Sequence, residues 1–153
     1  MRSTPTIRPA RLSDLPRLLQ LVKAYYAYDK IAYSDASIRP ALQQLLRDRN
    51  LGRAWVVEAG RALRAYAVLA YSYDLEFGGR EGIVTDLFVS ARFRAKGYGK
   101  RLFSVIGSYC KRSGIYEIEV IVTHENRAAR KFYKTLGFCD RQRSVFSLDL
   151  RTA

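Results

Sequence analysis

Histidine, cysteine, methionine and tryptophan are nearly missing from this chain of 153 residues, which carries 1 His, 2 Cys, 1 Met and 1 Trp. A lone histidine, His124, builds no multi-histidine metal site, and Cys110 and Cys139 lie in no C-x-x-C or Cys/His spacing that suits zinc. No metal is therefore expected, and the two cysteines read as free buried thiols rather than as a disulfide framework. A Ser-His-Asp or Cys-His arrangement would have to centre on His124, and no G-x-S-x-G elbow accompanies it. Long apolar runs are absent too: stretches such as 65–71 fall far short of the roughly 20 residues a membrane span needs, and no apolar segment follows Arg2. The sequence thus reads as a soluble, cytoplasmic protein with no membrane partner. Acidic residues are also scarce, 14 against 27 Lys and Arg, which leaves a net charge of +13. Such an excess attracts a polyanion, whether nucleic acid, anionic lipid or a phosphorylated small molecule.

What is present alternates in period. No linker, repeat or low-complexity stretch divides the chain, so one domain across residues 1–153 is expected. Residues 6–9 read as a short strand, and Ser13 as the cap of a helix carrying Leu15, Leu18, Leu19, Val22, Tyr25 and Tyr26 at helical spacing. Ser37 is the expected cap of a second helix, which Asn50-Leu51-Gly52 stops. The segments 54–59 and 62–73 are rich in β-branched and aromatic residues around a Gly60-Arg61 hairpin turn. A third long strand, 82–89, follows the turn Phe77-Gly78-Gly79-Arg80. After an arginine-rich loop come a helix over 98–112, a strand over 115–122, a helix over 126–136 closed by Gly137, and a last strand over 143–150. An antiparallel meander followed by strand, helix, strand, helix and strand predicts an α+β sheet protein.

The loop before the third helix carries the chemistry. Gly97 and Gly99 at the helix start let the backbone approach a bound group, and the orphan amides there sit at the positive end of the helix dipole beside Arg92, Arg94, Lys96, Lys100 and Arg101. These features describe a phosphate site, with a pyrophosphate as its natural occupant. The loop is not a Walker loop, because position 94 is Arg rather than Gly and Arg101 follows Gly99-Lys100. Nor is it a dinucleotide fingerprint, because Leu102 stands where a third glycine is needed.

Downstream, Asn126, Ala129, Phe132, Tyr133, Gly137 and Phe138 complete a second pattern. With Arg94-x-x-Gly97-x-Gly99 before it, the chain resembles the GCN5-related N-acetyltransferase (GNAT) family, most sharply over residues 83–138. The resemblance implies a mixed, mainly antiparallel central sheet flanked by helices, and acetyl-CoA as acetyl donor. It implies that the strand segment Leu87, Phe88 and Val89 pairs with the pantetheine arm. It places the pyrophosphate on Ala95, Lys96, Gly97, Tyr98, Gly99 and Lys100 beside Arg94, and the pantetheine against Asn126. Tyr133 matches the general acid that protonates the departing thiolate, a task suited to a neutral phenol within hydrogen-bond reach of sulfur.

Direct transfer also needs a carboxylate that takes a proton from the amine. Asp86 is the first candidate, with Glu76 and Glu81 behind it, and the Phe88 amide is the expected oxyanion donor. Tyr71-Ser72-Tyr73-Asp74 followed by Thr85-Asp86-Leu87-Phe88-Val89 looks like the diamine and thialysine acetyltransferase branch, although Thr85 stands where that branch has an acidic residue. The acceptor is expected to be a small primary amine, met by Tyr25, Tyr26, Asp29 and Glu76, with Tyr28 and Tyr33 nearby. A protein or peptide amine, and a basic module that binds nucleic acid or the ribosome, are the alternatives. A strand at 145–150 would offer an edge for a homodimer. Nine of the 27 basic residues fall on the loop and on the helix after Asn126, so a nucleotide cofactor accounts for part of the charge.

Overall fold

The computed structural model describes residues 4–152. Contacts divide it into two compact units, one ending at Ile121 and one beginning at Val122. The first unit holds a five-stranded sheet in the order β1 (Thr6–Pro9), β2 (Gly52–Ala59), β3 (Ala62–Asp74), β4 (Gly79–Val89) and β5 (Ile118–Val120). Neighbours are antiparallel except β4 and β5, which run parallel. Helices α1 (Leu15–Tyr28), α2 (Asp35–Arg47) and α3 (Tyr98–Arg112) complete the unit. The mixed, mainly antiparallel sheet with flanking helices is the expected α+β architecture.

The apolar spacing of α1 explains its docking. Leu18, Leu19 and Val22 are buried in one cluster with Val56, Tyr66, Val68 and Phe88 of the sheet, and α2 adds Leu42. The buried residues of α3 are Leu102, Phe103, Ile106 and Cys110, and its Tyr109 ring meets Trp55 of β2 edge-on at 5.3 Å. Each large side chain so buried contributes on the order of 2 kcal/mol.

The start of α1 is held by charge rather than by the expected Ser13 cap. A short 3-10 turn, Leu12–Asp14, precedes the helix, and Asp14 is its N-cap. Only 1% exposed, Asp14 accepts hydrogen bonds from the Arg11 amide at 2.7 Å, from both terminal nitrogens of Arg8 and from Arg17 at 2.7 Å. The same two arginines grip Glu58 on β2 at 2.9 and 2.8 Å, so this cluster ties β1, α1 and β2 together. Similarly, α2 begins one turn earlier than expected, with Ser34 rather than Ser37 at its N-cap.

The second unit contains α4 (Arg127–Thr135). Two expected strands are corrected. The one over 115–122 shortens to β5, and the one over 143–150 is not a strand: Val145, Phe146, Leu148 and Leu150 are exposed, Phe146 at 93%. Alternating apolar residues make a strand only where a neighbour supplies a ladder, and the sheet has no sixth member among the described residues. Cys139, expected to be buried, is exposed, whereas Cys110 is buried.

The arginine cluster should dominate local stability. Its guanidinium groups hold the Asp14 carboxyl well below the usual carboxylate range, against the opposing effect of burial. A lowered carboxyl stabilises the fold above the pKa it has when unfolded, and that stability is lost as pH falls toward the folded value. Asp14→Asn should cost about 3 kcal/mol at pH 7 in urea unfolding, with the difference from the parent narrowing below pH 4.

Candidate functional site

The site starts where β4 parts from β5. The two strands pair only at Gly82, Ile83 and Val84, so from Thr85 to Val89 the strand has β3 on one edge and no strand on the other among the described residues. The Ser90 amide donates to Arg64 O at 2.8 Å, which sets the alternation of the ladder. By that alternation the Phe88 amide points to β3, while Leu87 presents its N–H and C=O to the open edge. The expected oxyanion role of the Phe88 amide is therefore corrected: the ladder with β3 uses that group. Val89 O, also on the open edge, accepts from Arg94 Nε at 2.9 Å.

Beyond the strand, the chain turns through Ala91–Phe93 and then takes a left-handed conformation twice, at Ala95 (φ 59°) and at Gly97 (φ 83°). Gly97 is the N-cap of α3, and the first bond inside the helix is Arg101 N–H to Gly97 O at 3.0 Å. The amides of Tyr98, Gly99 and Lys100 precede that bond and are the helix's orphan donors. A Cβ on Gly97 would meet nothing within 4 Å, so the space above the helix start is open. Exposed Lys96 and Lys100 flank it. An open cradle of amides at the positive end of a 15-residue helix fits a diphosphate, and the free edge of β4 fits an extended amide-bearing arm such as pantetheine.

A bulge decides which way Asp86 faces. Val68 pairs with Asp86 and Leu69 with Val84, leaving Thr85 as an extra residue without a partner. The extra residue puts Asp86 on the face that carries Tyr66, Val68 and Phe88, the face covered by α1. There Tyr66, fully buried, donates its hydroxyl to Asp86 Oδ2 at 2.7 Å. Burial raises the Asp86 carboxyl above the ordinary range, and the hydroxyls of Tyr66 and Thr85 oppose that rise. The C-terminal turns of α1 bring aromatics to the same place. Tyr25 packs on Phe88 at 5.7 Å and on Tyr66 at 6.4 Å, and the Tyr28 ring lies 6.3 Å from Phe88. The Arg94 guanidinium stacks over Tyr28 at 4.2 Å. Burial and the Asp86 charge raise the Tyr26 phenol.

The remaining expected residues are distributed less evenly. Asp29 is exposed just past α1, its amide donating to Tyr25 O at 2.9 Å. Glu76 lies in the β3–β4 turn, where its amide donates to Asp74 Oδ1 at 2.8 Å. That turn is about 20 Å along the strand from Asp86, so Glu76 is not gathered with the tyrosines. Glu81 is only 4% exposed, its carboxyl raised by burial and by the charges of Glu119, Asp74 and Glu117. Tyr66 had no sequence signal beyond its place in an apolar strand. In the second unit Asn126 caps α4, its Oδ1 accepting from Ala129 N–H at 3.1 Å. Tyr133 is half-buried there, its ring edge-on to Phe132 at 5.2 Å and Phe138 at 5.4 Å.

A family model, the acetyltransferase (GNAT) family, matches residues 15–138. The chain belongs to this family of N-acetyltransferases, whose acyl donor is acetyl-CoA. It is 29% identical over 141 residues to an uncharacterized N-acetyltransferase of Methanocaldococcus jannaschii, a match that covers 91% of this chain and 62% of that protein. The chain thus spans less than two thirds of that relative. It is 23% identical over 147 residues to the thialysine N-epsilon-acetyltransferase of Bos taurus, covering 88% of this chain and 84% of that one. Its fold is similar to that of a predicted acetyltransferase of Clostridium acetobutylicum solved with acetyl-CoA, with a TM-score of 0.83, 20% identity, and 98% and 99% of the two chains covered.

Gly97 offers a test of the cradle. Gly97→Ala meets no steric obstacle but strains a left-handed residue by roughly 1 kcal/mol. Calorimetry with acetyl-CoA should show affinity weakened about tenfold as the amides lose their alignment, while the melting temperature moves by only a few degrees.

Proposed function

We propose that the chain transfers an acetyl group from acetyl-CoA directly to a primary amine of a small molecule. The observation that carries this reading is the open edge of β4, which begins beside a half-buried carboxylate and ends at an amide cradle within one unit. Bound acetyl-CoA supplies an activated acyl thioester. The amides of residues 98–100 hold its diphosphate, and Leu87 pairs with its extended arm. Asp86 accepts the proton that the amine releases as its nitrogen bonds to the carbonyl carbon. Tyr133 donates its phenolic proton to sulfur as the C–S bond breaks. The match to the family model runs through both units, which supports reading residues 1–153 as one N-acetyltransferase domain.

The distribution of acid supports an amine acceptor. In a chain of net charge +13, Asp86, Glu81 and, through the Ile83↔Glu119 pair, Glu119 share one face of the sheet. At the end of β4 that face also carries the α1 tyrosines, so a cation approaching there meets the Asp86 carboxylate and π faces. The name of the bovine relative, a thialysine acetyltransferase, points toward a small amine of this kind. A second reading, polyanion binding, rests on the groove lined by Arg127, Arg130, Lys131 and Lys134 of α4. Arg130 already pairs with Asp140 at 2.6 Å, which weakens that reading.

Release of free thiol from acetyl-CoA, followed across diamines, amino acids, aminoglycosides and peptide N-termini, tests the activity. Turnover with a small amine is expected; turnover with peptides alone would move the reading to protein acetylation. With the best amine, Tyr133→Phe should lower kcat about a hundredfold. The rate of the parent should fall as acid protonates Asp86, at a pH above the ordinary carboxylate range because burial raises that group. Asp86→Asn should lose that limb of the profile while acetyl-CoA affinity is unchanged.

A further inference from the structure

We infer that Tyr66 is a positioning residue for the transfer step: its hydroxyl fixes the Asp86 carboxylate in the orientation that takes the proton of the acceptor amine. The inference rests on the reading of Asp86 as the base, and it assigns a task to a buried residue which no motif marks.

The arrangement follows from the backbone. Val68 pairs with Asp86 and Tyr66 with Phe88, so Tyr66 sits diagonally across the ladder from Asp86, two pairs nearer the end of β4. Without the extra residue Thr85, Asp86 would project from the opposite face and the two side chains would not meet. Tyr66 is fully buried, and its ring is held edge-on by Tyr25 at 6.4 Å. A phenol locked in this way has one hydrogen to give, and it gives it to Oδ2 at 2.7 Å. The bond to Oδ2 fixes the plane of the carboxylate, and the lone pairs it leaves unused are available to an incoming proton. A carboxylate on a half-exposed strand end has two torsions to lose when it acts as a base, and the Tyr66 bond removes that freedom in advance.

The groups that face Asp86 are few. From β3 comes the Tyr66 phenol, from its own strand the Thr85 hydroxyl, and from α1 the Tyr26 phenol, whose titration feels the Asp86 charge. Tyr25 stands behind Tyr66. No lysine or arginine among the described residues offsets the burial of this carboxylate. Hydroxyl donors alone keep it ionisable, and Tyr66 is the donor with a fixed position. Burial, with the Asp86 charge beside it, pushes the Tyr66 phenol far above its ordinary range, so Tyr66 stays protonated and remains a donor at every working pH.

Two measurements test this. Carbon-detected NMR titration of aspartate carboxyls, with the Asp86 signal assigned through Asp86→Asn, reads the Asp86 pKa in the parent and in Tyr66→Phe without any substrate. Loss of the donor should raise that pKa by about one unit. In the thiol-release assay the acid limb of kcat should move up by the same amount. On that acid limb kcat should then fall about tenfold at a given pH, with recovery on the plateau above it and no change in acetyl-CoA affinity. Should Tyr66→Phe fail to fold, 3-fluorotyrosine placed at position 66 keeps the ring and strengthens the donor, and the limb and the carboxyl pKa should both move down. A carboxyl pKa and an acid limb that stay in place in the variant measured overturn the role of Tyr66. If instead Asp86→Asn keeps the parent's rate and profile, the base reading itself falls, whatever Tyr66 does to the carboxyl.

Discussion

The bulge at Thr85, between the Val68↔Asp86 and Leu69↔Val84 pairs, decides on which side of the sheet the end of β4 presents its side chains. Strand side chains alternate, so one inserted residue moves everything after it to the other face. Before the bulge, Val84 and Gly82 lie on the side of Leu69 and Ile115, with the Gly82 backbone pressed against Leu69. After it, Asp86 and Phe88 lie on the side of Tyr66 and α1. The same stretch of β4 loses its pairing with β5, so the change of face and the opening of an edge occur together. A carboxylate, an aromatic wall and an unpaired run of backbone are brought to one place by that local irregularity.

Charge serves two different ends in the first unit. At the base of α1 the arginines are spent on structure: Arg8 and Arg17 neutralise Asp14 and Glu58, and a carboxylate that is 1% exposed remains ionised because cations surround it. At the end of β4 the opposite holds. Asp86 has hydroxyl partners but no cation, and its carboxyl is raised rather than lowered. A helix start and a strand end of one unit thus place carboxylates in opposite electrostatic states, and the difference separates a structural acid from a candidate base. Glu81 shows that elevation alone does not make a base. It is raised by burial among other carboxylates, some five residues from the strand opening in sequence, with Oε2 lacking a hydrogen-bond partner.

Much of this was legible from the sequence, because it rests on local rules. Hydrophobic period marks β2, β3, α1 and α3, and the spacing of Arg94, Gly97 and Gly99 marks the loop that forms the cradle. What was hidden depends on pairing. The bulge is a relation between two strands, and Tyr66 looks like any apolar position until its partner across the ladder is identified. The Asp14 cluster joins residues as far apart as positions 8 and 58, and no window along the chain contains both. Ser13 and Ser37 failed as caps for a related reason: capping rules rank residue types, while the buried ion cluster and the entry of α2 set where each helix starts. At the C-terminal end the error ran the other way. Alternation in 143–150 is a real pattern, but it specifies a strand only in the presence of an edge to pair with.

The cradle also refines what the positive charge means. Side chains near the helix start are partly engaged elsewhere: Arg94 holds Val89 O and stacks on Tyr28, Lys96 lies over Phe93 at 5.1 Å, and Arg101 lies over Tyr98 at 5.6 Å. The donors fixed in direction there are backbone amides, set by two left-handed residues and the helix that follows, with exposed Lys100 beside them. Amides aligned by the fold carry partial charge in a fixed direction, so they select an anion of definite shape, whereas a cloud of exposed arginines only draws anions near. Arg94 adds a further link. It joins the last carbonyl of β4 to the last aromatic of α1, so the strand edge that would hold the donor and the helix end that would hold the acceptor share one side chain. The carbonyl at the end of the strand and the ring at the end of the helix are thus held by one guanidinium.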